Sequence, residues 1–129
     1  LEGNLKEDSE TVETFIARSK TDRKVMAVSN EGKRAITHYN VIKRFTNYCL
    51  VEFVLETGRT HQIRVHMASL GTPIVGDALY GKPALDKRLP EPPKRQLLHA
   101  FRLQLPHPIT GAPLDFSAPP PADFTPYID

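Results

Sequence analysis

Between Gly58 and Gly81 the chain concentrates the side chains best able to do chemistry: Arg59, His61, Gln62 and Arg64, then His66, Asp77 and Tyr80. The apolar spacing of Ile63, Met67 and Leu70 predicts a short helix over residues 60–70, with Thr60 as its cap, Gly71 as its stop and Pro73 just beyond. His61 and Arg64 then fall in its first turn and Arg59 just ahead of it. Free N–H groups and the positive end of the helix dipole make that a natural place to meet an anion. Each residue also has a plainer reading. Arg59 can hold a phosphate or the turn itself; His61 can bond the loop or a ligand; Gln62 can read a base edge or bond backbone. Arg64 can lie on an exposed helix face, and His66 reads as packing. His61 and His66 stand five apart with no Glu between them, so no metal site is expected. Asp77, after Gly76, reads as a turn former and cap. Tyr39 and Tyr80 could stack on a base or anchor the core.

The elements that must position this cluster read as strands. Residues 11–17 alternate, with Val12, Thr14 and Ile16 on one side and Thr11, Glu13, Phe15 and Ala17 on the other. A basic loop at 18–24 precedes a short apolar strand at 25–28, and the Ser29-Asn30-Glu31-Gly32 turn predicts a hairpin. Residues 35–45 and 49–56 read as longer strands, with Val51, Phe53 and Leu55 turned to the core. A constrained loop follows at 72–81, then an exposed Pro-rich loop at 82–95 with four prolines. Residues 97–105 read as a strand whose His99 packs on the helix, 107–111 as a turn, 114–118 as a last strand and 119–129 as a tail.

Composition sets bounds. At 129 residues and 40% hydrophobic content the chain suffices for a single domain with a core. There is no apolar run long enough to span a membrane, and the polar, acidic N-terminal stretch is unlike a signal peptide. The lone Cys49, in an apolar strand, suits packing in a reduced compartment, so a cytoplasmic setting is expected. The formal net charge of +2 conceals a basic middle: residues 18–102 hold 16 basic against 7 acidic groups. A surplus of that size suits a polyanion, because Lys and Arg near phosphates release counterions, although a solvated surface has the same composition.

The stretch GRTHQIRVHMASLGTPIVGDALYG, residues 58–81, closely resembles the third signature of the RluA-type pseudouridine synthases. Residues 97–111 (LLHAFRLQLPHPITG) and 32–45 (GKRAITHYNVIKRF) resemble further parts of the same family, so the likeness covers nearly the whole chain. It implies an enzyme that isomerises uridine to pseudouridine in ribosomal or transfer RNA without a cofactor. An aspartate acts as nucleophile while uracil is detached from the ribose, turned and rejoined through carbon. By position Arg64 corresponds to the basic residue that pairs with that aspartate. A guanidinium there would keep a desolvated carboxylate ionised and oriented.

The family carries its nucleophile in an upstream His-Arg-Leu-Asp signature, followed by a tyrosine that packs on the base; neither occurs here. The order of strands, tight turns and one helix predicts an α+β fold, a mostly antiparallel twisted sheet of about five to seven strands with one central helix across a face. By resemblance it would be a single partial domain over 1–129, the C-terminal part of the catalytic fold. Arg64 would be its catalytic residue, with Arg59, His61, Gln62, Arg34, Lys33 and Arg23 toward RNA. The isolated chain is expected to be inactive, and a non-catalytic RNA-binding module is the alternative. A homodimer, or pairing with the other half of the fold through an apolar face or strand edge, is also expected.

Overall fold

Alternation builds the sheet. In β1 (Ser9–Arg18) Val12, Thr14 and Ile16 turn inward while Thr11, Glu13 and Phe15 turn out, as one buried face requires. The computed structural model describes residues 1–81, 93–100, 102–106, 109 and 113–128. Strands β2 (Met26–Ser29), β3 (Lys33–Arg44) and β4 (Cys49–Leu55) join β1 in one antiparallel sheet of order β2-β1-β3-β4. Helix α1 (Gln62–Ser69) crosses the inner face. A second sheet pairs β5 (Arg102–Pro106) with β6 (Pro113–Ser117). This is the expected α+β class, with its six described strands in two sheets rather than one.

The Ser29–Gly32 turn is not a hairpin between its flanking strands. Phe15 pairs with Ser29 of β2 on one edge and with Arg34 of β3 on the other, so the chain crosses β1 between the two. Gly32 makes the crossing possible. Its φ is 119°, and a Cβ there would lie 2.5 Å from the Ile16 carbonyl oxygen, a conformation and an approach open only to glycine.

The inner face holds two apolar clusters. Leu5, Tyr39 and Met67 gather Val12, Val41, Val51, Phe53 and Ile63 around them. Ile16, Ala35 and Val65 gather Met26 and Tyr80. Leu55, expected in the core, pairs with Thr37 at the sheet's end and is 45% exposed. Ile42 is displaced outward where the β3–β4 register shifts between Val41 and Lys43.

The C-terminal expectations need correction. The strand read over 97–105 begins only at Arg102, because the Leu97 amide bonds the Val75 carbonyl, holding the chain against the 72–81 loop. His99 bonds the Ala118 carbonyl and meets the Phe124 ring edge-on, instead of packing on α1. Residues 119–128 are not a tail. A 3-10 turn (Ala122–Phe124) and α2 (Thr125–Ile128) bury Phe124 and Tyr127, the Tyr48 hydroxyl donates to the Tyr127 carbonyl, and Arg95 grips Asp123 with two bonds. Most of the 82–95 loop lies outside the described residues; of its end, Arg95 is half-buried. No described helix is long and apolar enough to cross a membrane.

Candidate active-site wall

The start of α1 departs from the expected cap. Its N-cap is His61, in the left-handed region (φ 54°, ψ 27°), and it makes no side-chain capping bond. Thr60 stays exposed outside the helix. Gln62 organises the turn instead: its Oε1 accepts from the Arg59 amide at 3.0 Å and the Thr57 hydroxyl at 2.7 Å. The far end follows the expectation. Gly71 has φ 81°, its amide donates to the Ala68 carbonyl and that of Thr72 to the Met67 carbonyl, the two bonds of a Schellman stop.

The face of α1 against the sheet is more polar than the Ile63, Met67 and Leu70 stripe suggests. Met67 is fully buried, but Leu70 is 46% exposed, and the other buried positions are Gln62, Val65 and His66. Gln62 Nε2 donates to the Ile36 carbonyl at 3.0 Å and the Thr37 hydroxyl at 2.8 Å. His66 Nδ1 bonds that same hydroxyl and Nε2 bonds the Thr14 hydroxyl, each at 2.8 Å. Burial holds the His66 pKa below its ordinary value. Every donor and acceptor of Gln62 is thus spent inside the fold, and the residue is 3% exposed. The expectation that Gln62 meets RNA gives way to a structural role.

Arg64 leaves the opposite side of the same helix. Its Nε and Nη2 donate to the two carboxylate oxygens of Asp77 at 2.8 and 2.7 Å. The Asp77 side chain is fully buried and that of Arg64 is 12% exposed. Asp77 Oδ1 also accepts from the Leu79 and Tyr80 amides, which is the turn-forming role its sequence suggests. Burial alone would raise the Asp77 pKa, but the Arg64 and amide bonds outweigh it, and the net shift is downward. The Asp77 bond pushes Arg64 further up. Beneath the guanidinium lies the Tyr80 ring, 5.2 Å from Cζ. Among the described residues nothing bonds Nη1.

The remaining residues gather unevenly. His61 Nδ1 bonds the Tyr80 hydroxyl at 2.8 Å, which brings His61 and Arg64 to one tyrosine. Arg59 Nε bonds the Arg34 carbonyl, and exposed Lys33 adjoins Arg34, whose own guanidinium pairs with Glu13. Arg23 is exposed in the 19–25 loop, and among the described residues no hydrogen bond ties its side chain to this cluster. Sequence reasoning missed the Arg64–Asp77 pair and the double use of Tyr80, since nothing local signals a contact 13 residues away. No three His, Cys, Asp or Glu side chains are grouped for a metal among the described residues.

A short helix on an antiparallel sheet carries one nearly buried arginine, and the glycine-punctuated 72–81 loop grips it. The model of the RNA pseudouridylate synthase family matches residues 2–69, more than half the chain, and the chain belongs to that family. Among curated relatives it is 46% identical to ribosomal large subunit pseudouridine synthase D of Haemophilus ducreyi, with 92% of this chain and 39% of that protein covered. It is 43% identical to the RNA pseudouridine synthase YlyB of Bacillus subtilis, with 100% of this chain and 41% of that protein covered. The solved structure of human RNA pseudouridylate synthase domain containing 1 superposes with a TM-score of 0.77 at 29% identity, over 91% of this chain and 50% of that one. The chain therefore spans about 40% of the length of these curated relatives.

Proposed function

We propose that this chain forms the basic wall of a site that isomerises uridine in ribosomal or transfer RNA, with Arg64 as the cation paired to a nucleophilic aspartate carried elsewhere in the catalytic fold. The observation that carries this reading is the state of Arg64. It is nearly buried, clamped along one edge by Asp77 and along one face by Tyr80, and its Nη1 edge is unengaged among the described residues. A guanidinium fixed that way can take a second carboxylate without searching for it. Asp77 is a poor nucleophile itself, because Arg64 and two backbone amides already occupy its oxygens.

In this reading Arg59, Lys33, Arg34 and Arg23 supply positive charge to phosphates, and His61 supplies a further polar contact beside Arg64 through their shared Tyr80. The cytoplasm is the compartment that suits an RNA partner of this kind. The outward sheet face, where Phe15 is 47% and Val54 58% exposed, is where the rest of a synthase fold or a second copy would pack.

The test is pseudouridine formation by a whole synthase carrying this segment. Arg64→Lys keeps the charge and loses the fork, and is expected to cut kcat by about 100-fold or more. A lysine variant with the wild-type rate would refute the assignment. The isolated chain is expected to form no pseudouridine, since no described carboxylate besides Asp77 bears on Arg64. The second reading, a non-catalytic RNA-binding module, draws on the exposed Lys33, Arg34 and Arg23 and would show salt-dependent binding without turnover in either setting.

A further inference from the structure

His61 is the one described non-glycine residue with positive φ, at 54°. Such a conformation costs free energy and persists where the surroundings enforce it, often at functional sites. The helix start does not hold the His61 side chain, which makes no capping bond. Tyr80 does. Its hydroxyl oxygen accepts the Met26 amide at 2.8 Å, and His61 Nδ1 lies 2.8 Å from the same oxygen, the two rings edge to face with centroids 5.6 Å apart.

A phenol has a single proton to give. Were Nδ1 to carry its own proton, both neighbours would donate to Tyr80 and the hydroxyl hydrogen would have no acceptor among the described residues. With Nδ1 as the acceptor all three groups are satisfied, and the imidazole proton sits on Nε2. The ring is half-exposed, and the guanidinium of Arg64 lies over the face of the same tyrosine.

From this geometry we infer that Tyr80 is a positioning residue: its hydroxyl fixes the Nε2–H tautomer of His61 and so presents that N–H, beside Arg64, as a donor to an oxygen of the RNA substrate. The inference rests on the reading that Arg64 lines the uridine site. It adds a directional contact that the basic residues do not provide, since a fixed N–H selects an acceptor by geometry and not by charge alone.

The tautomer can be read directly from long-range proton–nitrogen correlations in the nitrogen-labelled chain. The expected pattern is Nε2–H with Nδ1 unprotonated, shifting toward a mixture in Tyr80→Phe, which keeps the ring under Arg64 and removes only the hydroxyl. An Nδ1–H pattern in the wild type, or no change in the variant, would overturn the positioning role. The RNA role is tested by binding a single-stranded uridine oligonucleotide to the same chain across a salt series.

Tyr80→Phe and His61→Ala should each weaken binding about fivefold, the scale of one lost hydrogen bond. The double variant should be no weaker than His61→Ala, and the salt slope should not change, because no phosphate-neutralising cation has been removed. Additive losses, or a slope reduced by about one, would overturn the claim that Tyr80 acts through His61. A wild-type chain that binds no RNA at low salt would overturn the RNA role together with the proposed function, whereas the tautomer result would still judge Tyr80 and His61 separately.

Discussion

Replacing Asp77 by asparagine changes one oxygen for one NH2 group at the most enclosed ion pair described here. The Asp77 carboxylate has no exposed surface and the Arg64 side chain keeps 12%. Breaking a buried pair by removing one charge costs about 3–5 kcal/mol, because the surviving charge stays desolvated. Two details reduce that figure. Arg64 retains some access to water, and an asparagine oxygen can still accept from the Leu79 and Tyr80 amides.

Against this, the new NH2 would face a donor of Arg64, adding an unsatisfied contact. The expected loss is about 2–3 kcal/mol near pH 7, or roughly 7–12 °C in Tm for a chain of this size. Its pH dependence has a definite sign. The folded pKa of Asp77 lies below its ordinary value, so the stability from this ionisation is present above about pH 4 and is lost as pH falls through the folded pKa. Thermal unfolding of wild type and Asp77→Asn at several pH values should show a gap that is widest near neutrality and narrows in acid. A gap under about 0.5 kcal/mol at pH 7, or one that does not move with pH, would refute the reasoning.

His66 titrates in a different window. Its folded pKa lies below its ordinary value, so as pH falls below about 6.5 the unfolded chain takes up a proton that the folded chain resists. Stability should fall by at most about 1.4 kcal/mol per pH unit there, a slope that His66→Gln should abolish in denaturant titrations between pH 7 and 5. Gly32→Ala places a methyl group 2.5 Å from the Ile16 carbonyl oxygen at a φ of 119°. It should cost at least about 2 kcal/mol by chemical denaturation, and a neutral result would show that the β2–β3 crossing can shift aside.

The fold was legible where a period carried it. Val12, Thr14 and Ile16 turn inward as their alternation requires, and Gly71 stops the helix as its position suggests. Long-range pairing was not legible. The Ser29–Gly32 turn has hairpin chemistry, yet β1 lies between its strands, because the residues that decide the neighbour are in β1 and not in the turn. Helical spacing singled out Leu70 and missed the burial of Gln62, since periodicity counts apolar side chains and Thr37 and Thr57 make this polar one burial-compatible; His66, read as packing, is buried. At the site, the placing of Arg64 near the helix start held, whereas its grip by Asp77 and Tyr80 depends on a loop that folds back across 13 and 16 residues. Residues 119–129 misled because three prolines read as an end, although Phe124 and Tyr127 beyond them still had apolar surface to bury.

The helix that carries Arg64 is fastened to the sheet by Gln62 and His66 as much as by Val65 and Met67. Apolar surfaces attract at many offsets and would tolerate a helix sliding or rolling by a fraction of a turn. Hydrogen bonds to Ile36, Thr37 and Thr14 do not, since each is lost within about an ångström of displacement. The polar fastening therefore acts as an indexing pin, and thermodynamic robustness and aim become separable properties of this helix. Thr14, Thr37, Gln62 and His66 replaced together by apolar residues of matching volume could leave a chain just as hard to melt. Its arginine would then be free to drift from the position against Asp77 and Tyr80 that the fold now fixes.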